Sequence, residues 1–435
     1  MAQTLSTHST GKSTLLVLDP GHFHAALTLR RAHARLNDEV YVYANAGPDV
    51  DAFIELVESF NARVQDPTHW KLNVYRGPDH LERLLRERRG DVVIVAGKND
   101  TKLGNIARLH AAGLFVLGDK PWLIQPEQLA LVHSVSASPP LAMDIMTERY
   151  EIANRVQRAL IGHAEVFGAF RDDGARPAIS MKSTHHLYKM VNGRPLVRPE
   201  WYFNAAVQGE GITDVTTHLV DLAQWMMSSE PFDFTRDVEL VSARQWPTRV
   251  PLQTYSQITG LQQFNEAVRD HVEGGALAYL CNAAISYRLR GVPVQIESVW
   301  ALASPKGGGD LHCCIARGEK ADLIIDQSAA TQFVPELFVQ PRAADERYGI
   351  ALGQAVASLQ PTFPGIAVDL AHADAFHIRI PQTLRTTHEQ HFAAVLDQFL
   401  SLVAGGEVPR NLVPDLLCKY TLLAGAVELA RRSAG

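Results

Sequence analysis

Cysteine is scarce in this chain. Four occur among 435 residues, Cys281, Cys313, Cys314 and Cys418, and their spacing matches no zinc or redox signature. A bridge between the adjacent Cys313 and Cys314 would be strained. A disulfide-stapled scaffold is therefore not expected, and a reducing cytoplasm is the expected location. Long apolar runs are missing too. None approaches the roughly 18 residues of a membrane span, and residues 1–14 lack the apolar core of a signal peptide. Positive charge is not in excess: 41 basic and 47 acidic residues give a net charge of −6. With no basic block to neutralise phosphates, neither nucleic acid nor a membrane is an expected partner. There is no internal repeat and no low-complexity segment. What is present is a globular balance, 46% hydrophobic and 20% charged, in a chain long enough for two or three domains.

Over the first part of the chain short apolar runs alternate with helical patterns. Residues 15–18, 40–43, 72–75, 92–96, 115–117 and 141–145 predict strands. Residues 23–36, 51–63, 80–88, 102–112 and 125–135 predict helices. Such alternation implies βαβ units and a parallel sheet. After a helix at 152–160 the texture changes. Residues 164–170, 178–184, 276–288, 294–303, 311–316 and 321–325 read as strands of a largely antiparallel sheet. Helical stretches at 388–403 and 416–431 close the chain. Lys306-Gly307-Gly308-Gly309-Asp310 lies between two strand candidates and reads as a hairpin-like turn. It does not lead a strand into a helix, so it is not a phosphate loop. The expected organisation is one domain at 1–148 and a second at 149–435.

The first strand-to-helix turn is Leu18-Asp19-Pro20-Gly21-His22-Phe23-His24-Ala25. In a dinucleotide-binding βαβ unit, glycines here let backbone approach a pyrophosphate. Only the second glycine position is filled, by Gly21; Asp19 and His24 occupy the outer two. The same residues suit an ordinary βα turn. His22 and His24, with Asp19 nearby, suggest metal ligands, but no further ligand is evident and no metal is assigned. The second strand ends Val42-Tyr43-Ala44-Asn45, without the acid that selects a ribose 2′-hydroxyl. Asn45 can hydrogen-bond a hydroxyl or cap a turn, so the choice between NAD and NADP stays open. Gly11-Lys12-Ser13-Thr14 imitates the end of a P-loop, but it precedes a strand and has Ser6 where the first glycine belongs.

Asp119-Lys120-Pro121 follows a predicted strand. A lysine at the carboxyl end of a parallel strand faces the crevice where open α/β sheets bind ligands, and there it can stabilise a developing alkoxide. The plain alternative is a surface turn. A helix predicted over 213–227 carries Asp214, His218, Asp221 and Trp225 on one face, beside a stripe of Val215, Leu219, Leu222 and Met226. A histidine with a carboxylate one turn away is a general-base pair; it is also a common surface pair. His388 and His391 have i,i+3 spacing and do not form a zinc motif. Hydrogen bonding to a substrate suits His185, His186, Lys182 and Lys189 better than metal binding does.

Together these residues resemble the Gfo/Idh/MocA oxidoreductase family. Asp91-Val92-Val93-Ile94-Val95-Ala96, a helix ending at Gly113, and the run from Leu114 to Gly118-Asp119-Lys120-Pro121 are similar to its D-x-V-x-I … G-K-H-V-x-x-E-K-P signature, with Asp119 for the usual Glu. Gly211-Ile212-Thr213-Asp214-Val215-Thr216-Thr217-His218-Leu219-Val220-Asp221 resembles its G-x-x-D-x-x-x-H-x-x-D helix. The tail from His388 resembles its closing helix. The turn at Gly21-His22-Phe23-His24 and the segment Met146-Thr147-Glu148-Arg149-Tyr150 resemble a divergent branch of the family.

The resemblance implies an α/β protein: an N-terminal Rossmann-type parallel sheet domain and a C-terminal α/β domain with a large open, mostly antiparallel sheet. It implies NAD or NADP, seated differently or held unusually tightly if His24 crowds the pyrophosphate. Cofactor contacts would come from Gly21, His22, Phe23, His24, Asn45, Gly97, Asn99, Asp119 and Lys120. The catalytic set would be Lys120, Asp214 and His218. Trp122, Arg149, Tyr150, His185, His186 and Lys189 would meet the substrate, a sugar, polyol or glycoside oxidised at a hydroxyl, C3 being one candidate. The expected enzyme is thus an NAD(P)-dependent carbohydrate dehydrogenase, assembled as a dimer or tetramer. Two other readings stay open. One is an NAD-dependent glycosidase or lyase working through transient oxidation. The other is a non-catalytic NAD(H)-binding sensor.

Overall fold

Uninterrupted runs of Val, Leu and Ile suit strands covered on both faces, and the N-terminal sheet is made from them. In the computed structural model, which describes residues 12–191, 194–304, 308–343, 345–372 and 375–434, six strands alternate with five helices. They are β1 (Ser13–Leu18), α1 (His24–Thr28), β2 (Leu36–Ala44), α2 (Pro48–Ala62), β3 (Lys71–Arg76), α3 (His80–Glu87), β4 (Val92–Val95), α4 (Asn99–Ala111), β5 (Phe115–Gly118), α5 (Leu129–Ser136) and β6 (Ala142–Asp144). The strands pair in parallel in the order β3-β2-β1-β4-β5-β6. Leu15 to Leu18 and Val92 to Val95 are fully buried at its centre. This order reverses between β1 and β4, and in sheets of this kind ligands bind at the carboxyl ends flanking that reversal.

One predicted element here is much shorter than expected. The helix expected over 23–36 ends after five residues. Leu29 N–H closes a tight turn onto Ala26 O at 2.9 Å, and Trp70 indole N–H takes the Leu29 carbonyl at 2.7 Å. Trp70 thus anchors the chain where the helix ends. Arg31 and His33 both pair with Asp397, and β2 begins early, at Leu36.

The chain divides into two compact units. One comprises Met1–Thr147, Ala206–Gly209 and Thr387–Tyr420; the other comprises Glu148–Ala205, Glu210–Thr386 and Thr421–Gly435. A single cut between residues 148 and 149 does not express these two returns.

The second unit begins with α6 (Ile152–Ile161), β7 (Ile179–Tyr188) and a small ribbon of β8 (Met190–Val191) and β9 (Arg194–Pro195). After α7 (Ala205–Gln208) come α8 (Thr216–Met227), α9 (Phe234–Asp237), β10 (Val238–Pro251), α10 (Leu252–Thr259), β11 (Val272–Glu273), β12 (Ala276–Leu289) and β13 (Val292–Ala303). The unit continues with β14 (Leu311–Arg317), β15 (Ala321–Gln327), β16 (Glu336–Pro341), α11 (Glu346–Ser358), β17 (Ala367–His372) and β18 (Ala375–Arg379). The large sheet runs β10-β12-β13-β7-β14-β15-β16-β18-β17, with β11 beside β12. It is antiparallel except where β13 pairs with β7 in parallel. Val294, Ile296, Ser298 and Trp300 alternate on the buried face of β13, and Ser298 Oγ bonds Thr216 Oγ1 of α8 at 2.9 Å.

Three sequence expectations change in this unit. Residues 164–170 form turns and not a strand: Val166 and Phe167 both donate to His163 O at 2.9 Å, and Gly168 takes φ +75°. The turn at 306–310 is not a hairpin, because β7 lies between β13 and β14; residues 305–307 themselves fall outside the described residues. Finally, α8 starts at Thr216, so Asp214 precedes the helix.

The closing helices α12 (His388–Val403) and α13 (Leu412–Ala434) start in the first unit. There His24 packs on Phe392, ring centroids 4.4 Å apart. Among the described residues no helix is long and apolar enough to cross a membrane.

Candidate functional site

Asp19 takes the place of the first glycine in the turn after β1. It adopts φ +50°, the left-handed region that aspartate tolerates better than most side chains. Its carboxylate lies against Gly97, where a Cβ would stand 2.5 Å from Oδ2 and 2.9 Å from the Asp19 carbonyl. Burial raises the carboxyl pKa of Asp19 above its usual value. Gly21 N–H donates to Asp19 O and His22 N–H to Ala96 O, each at 2.8 Å. These two amides therefore brace the turn itself. Asn45 is exposed just past the end of β2, Gly97 is buried at the end of β4 and Phe23 is 40% exposed.

The two histidines of the turn converge on one carboxylate from the end of β5. His22 Nδ1 lies 2.7 Å from Asp119 Oδ2, and His24 Nδ1 lies 3.0 Å from Asp119 Oδ1. Asp119 also accepts the Lys120 backbone N–H at 2.9 Å. Burial lowers the pKa of both imidazoles despite the carboxylate beside them. Burial alone would raise Asp119, but the two histidines outweigh it and hold the carboxyl well below its usual range. Both Nδ1 atoms thus stay within hydrogen-bond distance of the one carboxylate. His24 therefore does not intrude where the third glycine would leave space; its ring is drawn into the protein by Asp119 and Phe392. The partnership was invisible in sequence because 95 residues separate its nearer members.

Asn99 and Trp122 are both buried. Asn99 Nδ2 donates to Gln208 O at 2.7 Å, and its Oδ1 accepts from Lys102 Nζ. Lys102 is 1% exposed and also reaches the carbonyls of Lys120 and Pro121 at 3.3 Å. The Asn99 side chain is thus spent bracing the loop that carries Lys120, which is itself 8% exposed. Trp122 is fully buried, stacked on Tyr420 with its indole N–H directed at Gly118 O. It sits in the core of the first unit.

In the second unit, Arg149 grips Asp221 with two bonds, 2.6 and 2.7 Å. A bidentate pair of this kind fixes both side chains, so the last acid of the helix motif is committed to Arg149. Asp214 is buried just ahead of α8. Its backbone ψ of −106° breaks the helical spacing to His218 that the sequence predicts. His218 is half-buried, with Nδ1 sealed from solvent. The turn before them is held by Glu210, which takes Gln245 at 2.7 Å and Arg431 at 2.9 Å.

His185, His186 and Lys189 meet on Asp310, at 3.2, 3.3 and 2.8 Å. Ser183 Oγ stands 3.0 Å from His185 Nε2. Burial raises the Asp310 carboxyl, but His185, His186 and Lys189 reverse this and hold it far below normal. Asp310 was missed in sequence because its glycine-rich turn gives no sign of which strand it approaches. Tyr150 is half-buried on a short 3-10 turn, Glu148–Tyr150.

Residues 156–431 match the family described as "Putative oxidoreductase C terminal domain". The chain belongs to the Gfo/Idh/MocA family of oxidoreductases. A "putative oxidoreductase" from Parabacteroides merdae ATCC 43184 is 37% identical, with 97% of this chain and 98% of that chain covered and a TM-score of 0.93. More distant in sequence is GenD2 from gentamicin A biosynthesis, solved with NAD: 14% identity, 100% and 98% coverage, TM-score 0.60. KijD10, a 3-ketoreductase from Actinomadura kijaniata solved with NADP and TDP-benzene, is 15% identical over 96% and 98% of the chains, TM-score 0.58. The last two share the fold. No curated protein matches the chain.

Proposed function

We propose that this protein is an NAD(P)-dependent oxidoreductase that acts on a hydroxyl group of a sugar, polyol or glycoside. The observation that carries the reading is the parallel sheet order β3-β2-β1-β4-β5-β6 in a member of this oxidoreductase family. The switch point between β1 and β4 suits a dinucleotide. Gly21, His22, Phe23, Asn45 and Gly97 would line its site. With the Gly21 and His22 amides engaged in the turn, other groups would contact the phosphates. The bound nicotinamide would supply the hydride acceptor or donor.

The remaining chemistry falls to side chains of this chain. Sealing of Nδ1 makes Nε2 the His218 nitrogen that takes the hydroxyl proton. Lys120 supplies positive charge to the alkoxide-like oxygen through Nζ. Asp214, a buried carboxylate, supports the charge that His218 gains. Arg149 holds Asp221 and so fixes the middle of α8. His185, Lys189 and Asp310 offer polar groups to substrate hydroxyls.

The test is turnover and nucleotide affinity measured side by side. Lys120→Met and His218→Asn should each lower kcat by roughly 10²–10⁴-fold, the scale of acid–base catalysis, and leave nucleotide affinity nearly unchanged. Near-parental turnover in either variant would remove that residue from the mechanism. Aglycone release without net NADH would redirect the reading to redox-assisted bond cleavage. NAD(H) binding without turnover of any carbohydrate would make the protein a sensor.

A further inference from the structure

We propose that His22, His24 and Asp119 form a binding site for a divalent transition-metal ion of the zinc class. Among the described residues they are the group of three or more His, Cys, Asp or Glu side chains whose donor atoms all lie within 4.8 Å of one another. They come from the turn after β1, the first residue of α1 and the end of β5, with β4 between the two strands. A His-x-His pair with one carboxylate is a nitrogen-rich, borderline donor set, suited to zinc, cobalt or iron and not to calcium or magnesium.

The spacing is within reach of a common ion, since the donor atoms all lie within 4.8 Å of one another. Ligands at about 2.0–2.2 Å from a common metal lie roughly 3.0–3.5 Å apart. The Nδ1–carboxylate separations of 2.7 and 3.0 Å need only slight widening. Without metal, each Nδ1–H donates to Asp119. On binding, that proton passes to Nε2 through solvent exchange, and the freed Nδ1 lone pair turns to the ion. No net proton is lost in this tautomer change. His22 is 27% exposed at its side chain, Asp119 1% and His24 9%. Two ligands are thus fixed in the interior, while His22 is the ligand partly open to solvent. Lys102 and Lys120 act on His22 from nearby. Their charges oppose a cation and set an affinity well below that of a four-ligand structural zinc site.

The experiment is a titration of tag-free, metal-stripped full-length protein with Co²⁺ or Zn²⁺, read by calorimetry and by the visible absorption of bound Co²⁺. The expected result is one ion per chain and a rise in Tm. His22→Gln and His24→Gln should each weaken binding by at least roughly 10-fold, with Asp119→Asn weakening it further. Lys120→Met should tighten it several-fold by removing a repelling charge. Asp119 is buried, so its variant can fail to fold; His22, at the rim, provides the variant that keeps the fold, checked by circular dichroism. Absence of stoichiometric binding by the parent overturns the proposal, as does unchanged affinity in both histidine variants. Either result would leave a hydrogen-bonded clamp that only braces the turn. No step of the assay depends on nucleotide or on turnover, so its outcome is independent of the oxidoreductase reading.

Discussion

Gly97 shows what one hydrogen atom in place of a methyl group accomplishes. A Cβ there would collide with the Asp19 carboxylate and carbonyl, which are held by the left-handed turn and by Asp19 N–H bonding Tyr43 O at 2.9 Å. Gly97→Ala should therefore cost about 1–3 kcal/mol, the usual range for overpacking, and should weaken nucleotide binding by displacing the end of β1. Thermal melts and calorimetry check both; an alanine variant with parental Tm and affinity would mean that the turn yields freely. The thiols have no comparable role. Burial pushes Cys281 and Cys314 up to about 12, far from a reactive thiolate at neutral pH. At this scale the sequence was legible where a residue's place is local, as for Gly21 in the turn after β1 and Lys120 just past β5. It was not legible at Asp119 and Asp310, whose importance comes from partners brought in from other strands.

Elements were readable in proportion to how completely they are buried. The run Val92–Val95 has no polar residue to confuse its period, and it is a strand as expected. β10 (Val238–Pro251) went unrecognised because few of its side chains are buried and Arg244 lies over Trp246, 4.3 Å from the ring centroid, on its surface. The opposite error arose at residues 164–170, where buried Val166 and Phe167 imitate a strand around a glycine turn. Helix α6 carries a prediction of its own. Its N-cap, Glu151, accepts the Ala153 N–H at 3.4 Å, and burial raises its carboxyl pKa from 4.5 to about 7. A carboxyl raised by folding is more protonated in the native state than in the unfolded chain between those two values. Stability should thus fall as pH rises from about 4.5 to 7 and then level off. Glu151→Gln keeps an acceptor and removes the charge. Its Tm should exceed the parent's at pH 8 by more than at pH 5. A difference that is constant with pH, or that shrinks, would show that Glu151 ionises normally.

For the molecule as a whole, the informative feature is that the first unit is completed by chain from far downstream. Alternating βαβ texture ends before residue 148, so the sequence suggests a domain finished there, and nothing local shows that Thr387–Tyr420 belongs with it. The packing within that unit says otherwise. α12 buries Phe392, Val395, Leu396, Phe399, Leu400, Leu402 and Val403. At about 1.5–3 kcal/mol for each large side chain, this is comparable with or larger than the roughly 5–15 kcal/mol by which a whole domain is stable. The polar contacts are equally shared. Asp144 of β6, 6% exposed, pairs with the buried Lys419 at 2.8 Å and accepts the Tyr420 hydroxyl at 2.9 Å. The same hydroxyl accepts Trp122 N–H at 3.1 Å. A fragment of residues 12–148 should therefore lack a cooperative thermal transition and lose the near-ultraviolet circular dichroism of Trp122. The same fragment joined to residues 387–420 by a flexible Gly/Ser linker should recover both. In the full chain, Lys419→Met should cost roughly 3–5 kcal/mol, because it leaves a buried carboxylate without its ammonium partner. Denaturant unfolding of the three proteins against the parent decides the matter. A cooperative, sharply melting 12–148 fragment would mean that the downstream helices only cover a domain already complete.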